Sequence, residues 1–211
     1  LRAPFPCIGG PLRPLEAAGV LQRGWGVSLQ LFVLTADDVL EFWFQQCRPW
    51  QWFCRRESFD AIVRGRFGAL VESALAGDLQ DWADRPCPAL ALVLLLDQFS
   101  RQIWRGEARA FSGDRQALAV ALVGLQRGWV AAEPQRPRRQ FWLMPLLHSE
   151  EDEMVARAIP LLEQFVDAAT ADVARRNLMQ LQRFGRYPYR NAALGRSSSR
   201  AEVLFLQEVA R

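Results

Sequence analysis

Residues 88–106 read PALALVLLLDQFSRQIWRG, and this stretch decides the fold class of the protein. From Ala89 to Leu96 every residue is apolar, so a helix formed here would bury all of its sides for two turns. The pattern predicts a helix from Pro88 to about Trp104 at the centre of the molecule. Asp97 ends the apolar run well short of the roughly 20 residues that a membrane span needs, so we do not expect a membrane protein.

Helical periodicity continues on both sides of this central helix. Apolar residues recur at intervals of three and four, whereas the sequence has no alternating strand pattern and no hairpin signal. The other expected helices cover residues 35–46, 57–76, 114–129, 138–146, about 149–168 and about 170–185, with a last short helix after Ser199. We therefore expect an all-α fold built as an array of antiparallel helix pairs.

Several helix starts carry recognisable capping residues. A serine or threonine followed three residues later by an acidic residue is typical of a capping box, in which side chains and backbone amides satisfy each other's hydrogen bonds. The pairs with this spacing are Thr35 with Asp38, Ser149 with Asp152 and Ser199 with Glu202. Asp114 is expected to be the N-cap of the helix that follows it.

The first 34 residues differ from the rest of the chain. They contain four prolines and no sustained amphipathic stripe, so we expect a flexible N-terminal extension at 1–34 and a single all-helical domain at 35–211. The extension also lacks the continuous apolar segment and small-residue cleavage site of a secretory signal. These features favour a cytoplasmic location.

The charge balance argues against nucleic acid as a partner. The chain has 211 residues and a formal net charge of +3, whereas phosphate binding usually shows as a strongly basic face. All 26 basic residues are arginine, which fits either a GC-rich coding sequence or selection for bidentate recognition of carboxylate and phosphate groups.

Residue patterns for metals and cofactors are missing from the sequence. The four cysteines have no CxxC spacing, and one histidine cannot complete a zinc set around them. No glycine-rich phosphate-binding fingerprint is present either. We therefore expect neither a metal nor a cofactor.

One charged pair falls in the most apolar part of the chain. Asp97 and Arg101 are four residues apart, so they share a face of the central helix and should form an ion pair at the edge of the core. Burying these charges is costly unless each has a partner. The pair therefore marks either a functional pocket or a structural contact that fixes the helix register.

His148 is the one histidine of the chain and lies at a predicted turn between helices. Imidazole is the side chain best suited to general acid–base work near neutral pH, so His148 is the candidate acid or base. Asp97 and Glu150 are the carboxylates that we expect to orient it or the nearby arginines. A structural histidine with satisfied hydrogen bonds is the alternative.

Basic side chains crowd the end of the helix that stops near Gly185 and the loop that follows. They are Arg183, Arg186, Arg190 and Arg196, together with the amide of Asn191. Guanidinium groups bind carboxylates and phosphates through two parallel donors, which makes this loop the best anion site in the sequence. Arginines at a helix C-terminus also satisfy free carbonyl groups, which is the structural alternative.

Several motifs, taken together, resemble a known family. They are DVLEFWF at 38–44, LLLDQFSRQIWRG at 94–106, PLLHSEE at 145–151 and RFGRYPYRNAALGRSS at 183–198. In this order they resemble the bacterial domain-of-unknown-function 924 family, over about residues 35–206. The resemblance implies an all-α fold similar to tetratricopeptide-like right-handed superhelices, with no established activity. Members commonly carry histidine in the segment that here reads YPYRN, where this chain has Tyr189.

Two hypotheses for function follow. In the first, a cytosolic protein binds a small anionic ligand, with or without catalysis: His148, Asp97 and Glu150 are the catalytic candidates. The ligand-binding candidates are Arg101, Arg186, Arg190, Asn191 and Arg196. In the second, a tetratricopeptide-like module binds a peptide or protein partner and the polar motifs are structural. The first hypothesis predicts that Asp97 and Arg101 lie close to His148 and to Arg186, Arg190 or Asn191.

Overall fold

The computed structural model describes residues 34–209, and these residues contain helices and turns but no strand. The α-helices are α1 (Ala36–Glu41), α2 (Glu57–Ala76), α3 (Pro86–Val93), α4 (Ser100–Ile103), α5 (Asp114–Gln126), α6 (Trp129–Ala132), α7 (Arg136–His148), α8 (Asp152–Phe165), α9 (Ala168–Phe184) and α10 (Arg200–Val209). The all-α expectation is confirmed. The extension expected at 1–34 lies outside the described residues, apart from Leu34.

The stretch from Ala89 to Ser100 lies at the centre of the core, as its composition predicts. Every residue in it is buried, and helices α1, α5 and α7 pack against α3. Burial of a long apolar side chain stabilises the fold by about 1.5–3 kcal/mol, so this segment is a main source of stability. Within residues 34–209, no helix is long and apolar enough to cross a membrane.

The central segment is not one continuous α-helix. Residues Leu94–Phe99 form a π-helical turn, and the amide of Ser100 donates to the carbonyl of Leu95, five residues earlier. Such a turn adds one residue to the helix and re-aims the side chains around it, and π-helical turns are frequent at functional sites. Asp97 lies inside this turn.

The expected caps are confirmed at two helices and wrong at two others. The boxes at Thr35 and Ser199 form with their acidic partners. Ser149 instead ends α7, and Glu151 is the cap residue of α8. At α5 the cap position belongs to Gly113, so Asp114 is the first helical residue.

Gly113 has a packing role that explains this arrangement. A Cβ atom at this position would lie 2.4 Å from the carbonyl oxygen of Leu96, so only glycine allows the start of α5 to approach the central segment so closely. The approach frees the carboxylate of Asp114 from capping. It also brings that carboxylate beside the π-helical turn.

Glycines at positive φ decide two helix ends. Gly185, at φ 69°, ends α9 where the sequence predicts. Gly128, at φ 74°, separates α5 from the short α6, so the helix expected to run to Trp129 stops at Gln126. Both angles fall in the left-handed region that glycine enters without steric cost.

The last part of the described chain returns to the end of α7. Helices α7, α8 and α9 pack in succession, and the loop 185–199 then crosses the last turn of α7. The hydroxyl of Tyr187 donates to the Leu147 carbonyl at 2.7 Å, and its backbone amide donates to Glu150 at 2.9 Å. This loop therefore carries Arg190 toward His148.

Candidate functional site

Asp97 is the central acceptor of a buried polar cluster. Its side chain is fully buried, and its Oδ1 atom accepts from Nδ1 of His148 at 2.7 Å and from Nη2 of Arg101 at 3.2 Å. Its Oδ2 atom accepts from Nε2 of Gln98 at 2.6 Å. Three donors thus compensate for the loss of water around the carboxylate.

These contacts keep Asp97 ionised. Burial by itself raises the pKa of a carboxyl group. Here the attraction of His148, in the protonated form that it takes at low pH, and of Arg101 outweighs burial and holds the pKa of Asp97 well below its ordinary value. Hydrogen bonds from His148 and Gln98 act in the same direction.

His148, the last residue of α7, favours its neutral form, whereas Asp97 favours its charged form. Burial lowers the pKa of His148, and the positive charge of Arg101 lowers it further, against the attraction of Asp97. The imidazole is therefore neutral at pH 7. An ionised carboxylate only accepts, so the ring proton must sit on Nδ1.

The other ring nitrogen of His148 is available for chemistry. Among the described residues, Nε2 has no hydrogen-bond partner, and 17% of the side chain is exposed. A neutral imidazole with its proton on Nδ1 carries a lone pair on Nε2. This nitrogen can accept a proton from a bound molecule.

Asp114 is a second carboxylate in the cluster. Its Oδ1 accepts from Nη2 of Arg101 at 2.7 Å and its Oδ2 from Nη1 of Arg190 at 3.1 Å. Burial raises the pKa of Asp114; Arg101 opposes this rise and the nearby Asp97 adds to it. Sequence reasoning missed this role because an acidic residue at a helix start is already explained by capping.

Arg190 ties the loop 185–199 to the cluster. The residue is 4% exposed, and besides its contact with Asp114 it donates from Nη2 to the carbonyl of His148 at 2.7 Å. The residues Asp97, Arg101, Asp114, His148 and Arg190 are called the His148 centre below. Two carboxylates and two guanidinium groups balance in charge around a neutral imidazole.

Aromatic rings border the His148 centre. The guanidinium carbons of Arg101 and Arg190 lie 5.1 and 4.7 Å from the centroid of the Phe111 ring. Tyr189 stacks on Tyr187 with 5.5 Å between the ring centroids and 24° between the planes. The rings thus hold the cations in place and leave part of Tyr189 at the surface.

The remaining predicted residues form a separate cluster. Arg196 binds Glu150 at 2.7 and 3.0 Å, and Arg186 binds Glu202 at 2.8 and 3.0 Å. The amide of Asn191 donates to Glu202 at 3.2 Å. These five residues are called the loop clasp, because they bind the loop 185–199 to the turn between α7 and α8 and to α10.

The structure therefore divides the single pocket that the sequence predicts. Asp97, Arg101, His148 and Arg190 meet, as that expectation requires. The other predicted site residues lie in the loop clasp: they are Glu150, Arg186, Asn191 and Arg196. Glu150 binds Arg196 at 2.7 Å and not His148, so of the two roles expected for it, its contacts match the orientation of an arginine.

Two concave regions are lined by described residues, and neither lining includes a member of the His148 centre. An apolar cavity of about 220 Å³ lies between α2, α3 and α5 and includes Leu92, Leu96 and Val120. A polar cavity of about 410 Å³ is lined by Glu150 and the acidic start of α8. Within residues 34–209, no group of three or more side chains has the arrangement to hold a metal ion.

Comparison with known proteins places the chain in a family. Residues 39–210 match the model of a family of bacterial proteins of unknown function, DUF924, so the chain belongs to this family. The solved structure of a protein of unknown function from Agrobacterium tumefaciens is similar, with 31% sequence identity and a TM-score of 0.77. The match covers 82% of this chain and 97% of that one. No curated protein matches the chain.

Proposed function

We propose that the chain binds a small anionic molecule at the His148 centre and acts on it with Nε2 of His148 as a general base. The observation that carries this proposal is the buried hydrogen bond from Nδ1 of His148 to Asp97, which leaves Nε2 without a partner. A carboxylate in this position holds the imidazole in one tautomer and stabilises the imidazolium that forms when Nε2 takes a proton. General-base catalysis of this kind typically contributes about 10²–10⁴-fold in rate.

The two arginines supply the binding element. The Nε groups of Arg101 and Arg190 are buried and have no hydrogen-bond partner. A buried donor without a partner costs about 1–3 kcal/mol, so an anionic group that reaches these donors would recover that energy. Carboxylate and phosphate groups have the acceptor geometry that suits a guanidinium fork.

The competing proposal is a protein-interaction module. A tetratricopeptide-like superhelix in the cytosol could present a concave surface to a peptide, and the succession of α7, α8 and α9 joined by short turns supports that arrangement. The interaction hypothesis predicts that the charged motif residues are dispersed as helix caps. The contacts of Arg101 and His148 with the buried Asp97 favour the ligand-binding proposal.

Thermal unfolding in the presence of small anions tests the binding step. Inorganic phosphate, acetate, succinate and benzoate are the probes. A probe at 100 times its dissociation constant stabilises the folded state by about 2.7 kcal/mol. We expect at least one probe to raise the melting temperature of the unmodified chain and to have a weaker effect on Arg101→Gln.

The matched control is Arg175→Gln, which removes an exposed guanidinium on α9 that binds Glu163 and Asp172 far from the centre in sequence. The control should respond to the probes as the unmodified chain does. Equal stabilisation of both variants would contradict the proposal, as would a panel without any effect.

Nitrogen NMR tests the catalytic step. Because the chain contains one histidine, its ring nitrogens need no assignment by mutagenesis. We expect a protonated Nδ1 and an unprotonated Nε2 at pH 7. A proton on Nε2 at this pH would remove the general base from the proposal.

A further inference from the structure

Tyr189 stands out among the aromatic residues near the His148 centre because half of it faces solvent. Its exposed fraction is 50%, whereas Tyr187, two residues earlier, is fully buried. Tyr187 anchors its hydroxyl on the Leu147 carbonyl and has a clear structural role. The exposed part of Tyr189 makes no comparable contribution to the core.

The position of the Tyr189 ring is nevertheless well defined. It stacks on the buried ring of Tyr187, and the guanidinium carbon of Arg190 lies 5.7 Å from its centroid. The phenol also lies within electrostatic range of Arg101. The Tyr189 ring thus stands beside the two cations, and half of the residue is exposed to solvent.

We propose that the molecule bound at the His148 centre carries its anionic group on a flat aromatic or conjugated ring, and that Tyr189 stacks on this ring. The inference rests on the proposed function, because the arginines must bind the anionic group. A second ring beside Tyr189 would extend the stack that Tyr187 begins. Aromatic pairs in offset or edge arrangements are favourable beyond the area that they bury.

Paired ligands of equal charge test the proposal. Benzoate is compared with cyclohexanecarboxylate, and phenyl phosphate with cyclohexyl phosphate, by calorimetric titration and by the shift of the His148 ring signals. The first pair differs mainly in planarity. We expect the unmodified chain to bind the aromatic member of each pair about 2- to 10-fold more tightly.

Three variants distinguish the effect of the Tyr189 ring from the effect of its hydroxyl group and from nonspecific binding to exposed aromatic residues. Tyr189→Phe should keep the preference, because the ring remains. Tyr189→Leu should lose the preference and bind both carboxylates alike. Trp50→Leu is the control, because Trp50 is an exposed aromatic residue of similar accessibility that stacks with Arg56 away from the centre, and it should leave the preference unchanged.

The outcomes distinguish the two proposals. If none of the four ligands binds, the proposed function and this inference are both overturned. If they bind without a preference for rings, or if Tyr189→Leu keeps the preference while its unfolding temperature shows that it folds, only the present inference is overturned. Loss of the preference in Tyr189→Leu, with Trp50→Leu unaffected, supports it.

Discussion

The His148 centre and the loop clasp contain the same charged groups, and the centre alone adds an imidazole. Each has two carboxylates and two guanidinium groups. In the loop clasp, the two oxygens of Glu202 accept four hydrogen bonds, and these donors hold the pKa of Glu202 well below its ordinary value. In the His148 centre, a neutral imidazole keeps one nitrogen unpaired. Paired charges are sufficient to hold the loop in place, whereas the unpaired ring nitrogen is also able to accept a proton.

The two clusters are joined through neighbouring residues of one loop. Arg190 donates to the His148 centre, and Asn191 donates to Glu202 in the loop clasp. A shift of the loop at either residue would move the other. The loop clasp thus serves to place Arg190, although it holds no candidate base of its own.

The largest effect is expected from removing the central acceptor. Asp97→Leu leaves the Nδ1 proton of His148 and the amide of Gln98 without an acceptor. It also removes one of the two carboxylates that bind Arg101. Removing one partner of a buried ion pair costs about 3–5 kcal/mol. Urea unfolding measures this loss, and a loss below about 1 kcal/mol would show that the cluster contributes little net stability.

A smaller loss is expected from Arg190→Ala. The residue is 4% exposed and donates to Asp114 and to the His148 carbonyl. Hydrogen bonds to charged groups are worth about 1.5–3 kcal/mol, so we expect a loss in that range. Stabilisation by the anionic probes should also disappear.

Arg186→Ala is the matched change in the loop clasp, because Arg186 lies on the same loop as Arg190 and its guanidinium also binds a carboxylate, that of Glu202. It should lower the melting temperature and retain a response to the probes. A variant that folds and yet loses the response would erase the distinction between the two clusters.

The pH dependence of the free energy of unfolding distinguishes the two clusters in the pH range just below the ordinary pKa of histidine. The pKa of His148 is lowered in the folded chain, so between that pKa and the ordinary value of about 6.5 the unfolded chain binds more protons. The free energy of unfolding therefore falls as the pH drops through about 6.5, by up to about 1.4 kcal/mol for each unit of lowering.

Urea unfolding between pH 8 and pH 5.5 checks this dependence. The loop clasp should contribute nothing in this range, because its carboxylates titrate at lower pH. His148→Gln should flatten the profile, since no other histidine is present. Stability that rises on acidification would mean that the folded imidazole prefers the protonated form.

The smallest effect is expected at an exposed ion pair, which serves as the baseline for both clusters. Glu72 on α2 pairs with Arg109, and both side chains are about half exposed. Exposed pairs contribute about 0–1 kcal/mol. Glu72→Gln should therefore change the unfolding free energy by less than about 0.5 kcal/mol in the same urea experiment.

Spacing along the chain predicts some parts of the site and misses others. Asp97 and Arg101 are one helical turn apart, so their contact follows from the 3.6-residue period, and it survives the π-helical turn. Asp114 contacts Arg190 from 76 residues away, and no local pattern indicates that pairing. The same limit explains why Arg186 and Arg190, four residues apart, could not be assigned to different clusters in advance.

The sequence by itself determined the helical class, the central place of residues 89–96 and the identity of the general-base candidate. Apolar periodicity acts locally, and one histidine leaves no choice of imidazole. Apart from the Asp97–Arg101 pair, the packing of the helices sets which carboxylate each arginine of the two clusters meets. It does so because Gly113 lets α5 approach the Leu96 carbonyl and the loop 185–199 crosses the end of α7. Charge pairs over such distances in sequence depend on how helices pack, and packing is a property of the whole core.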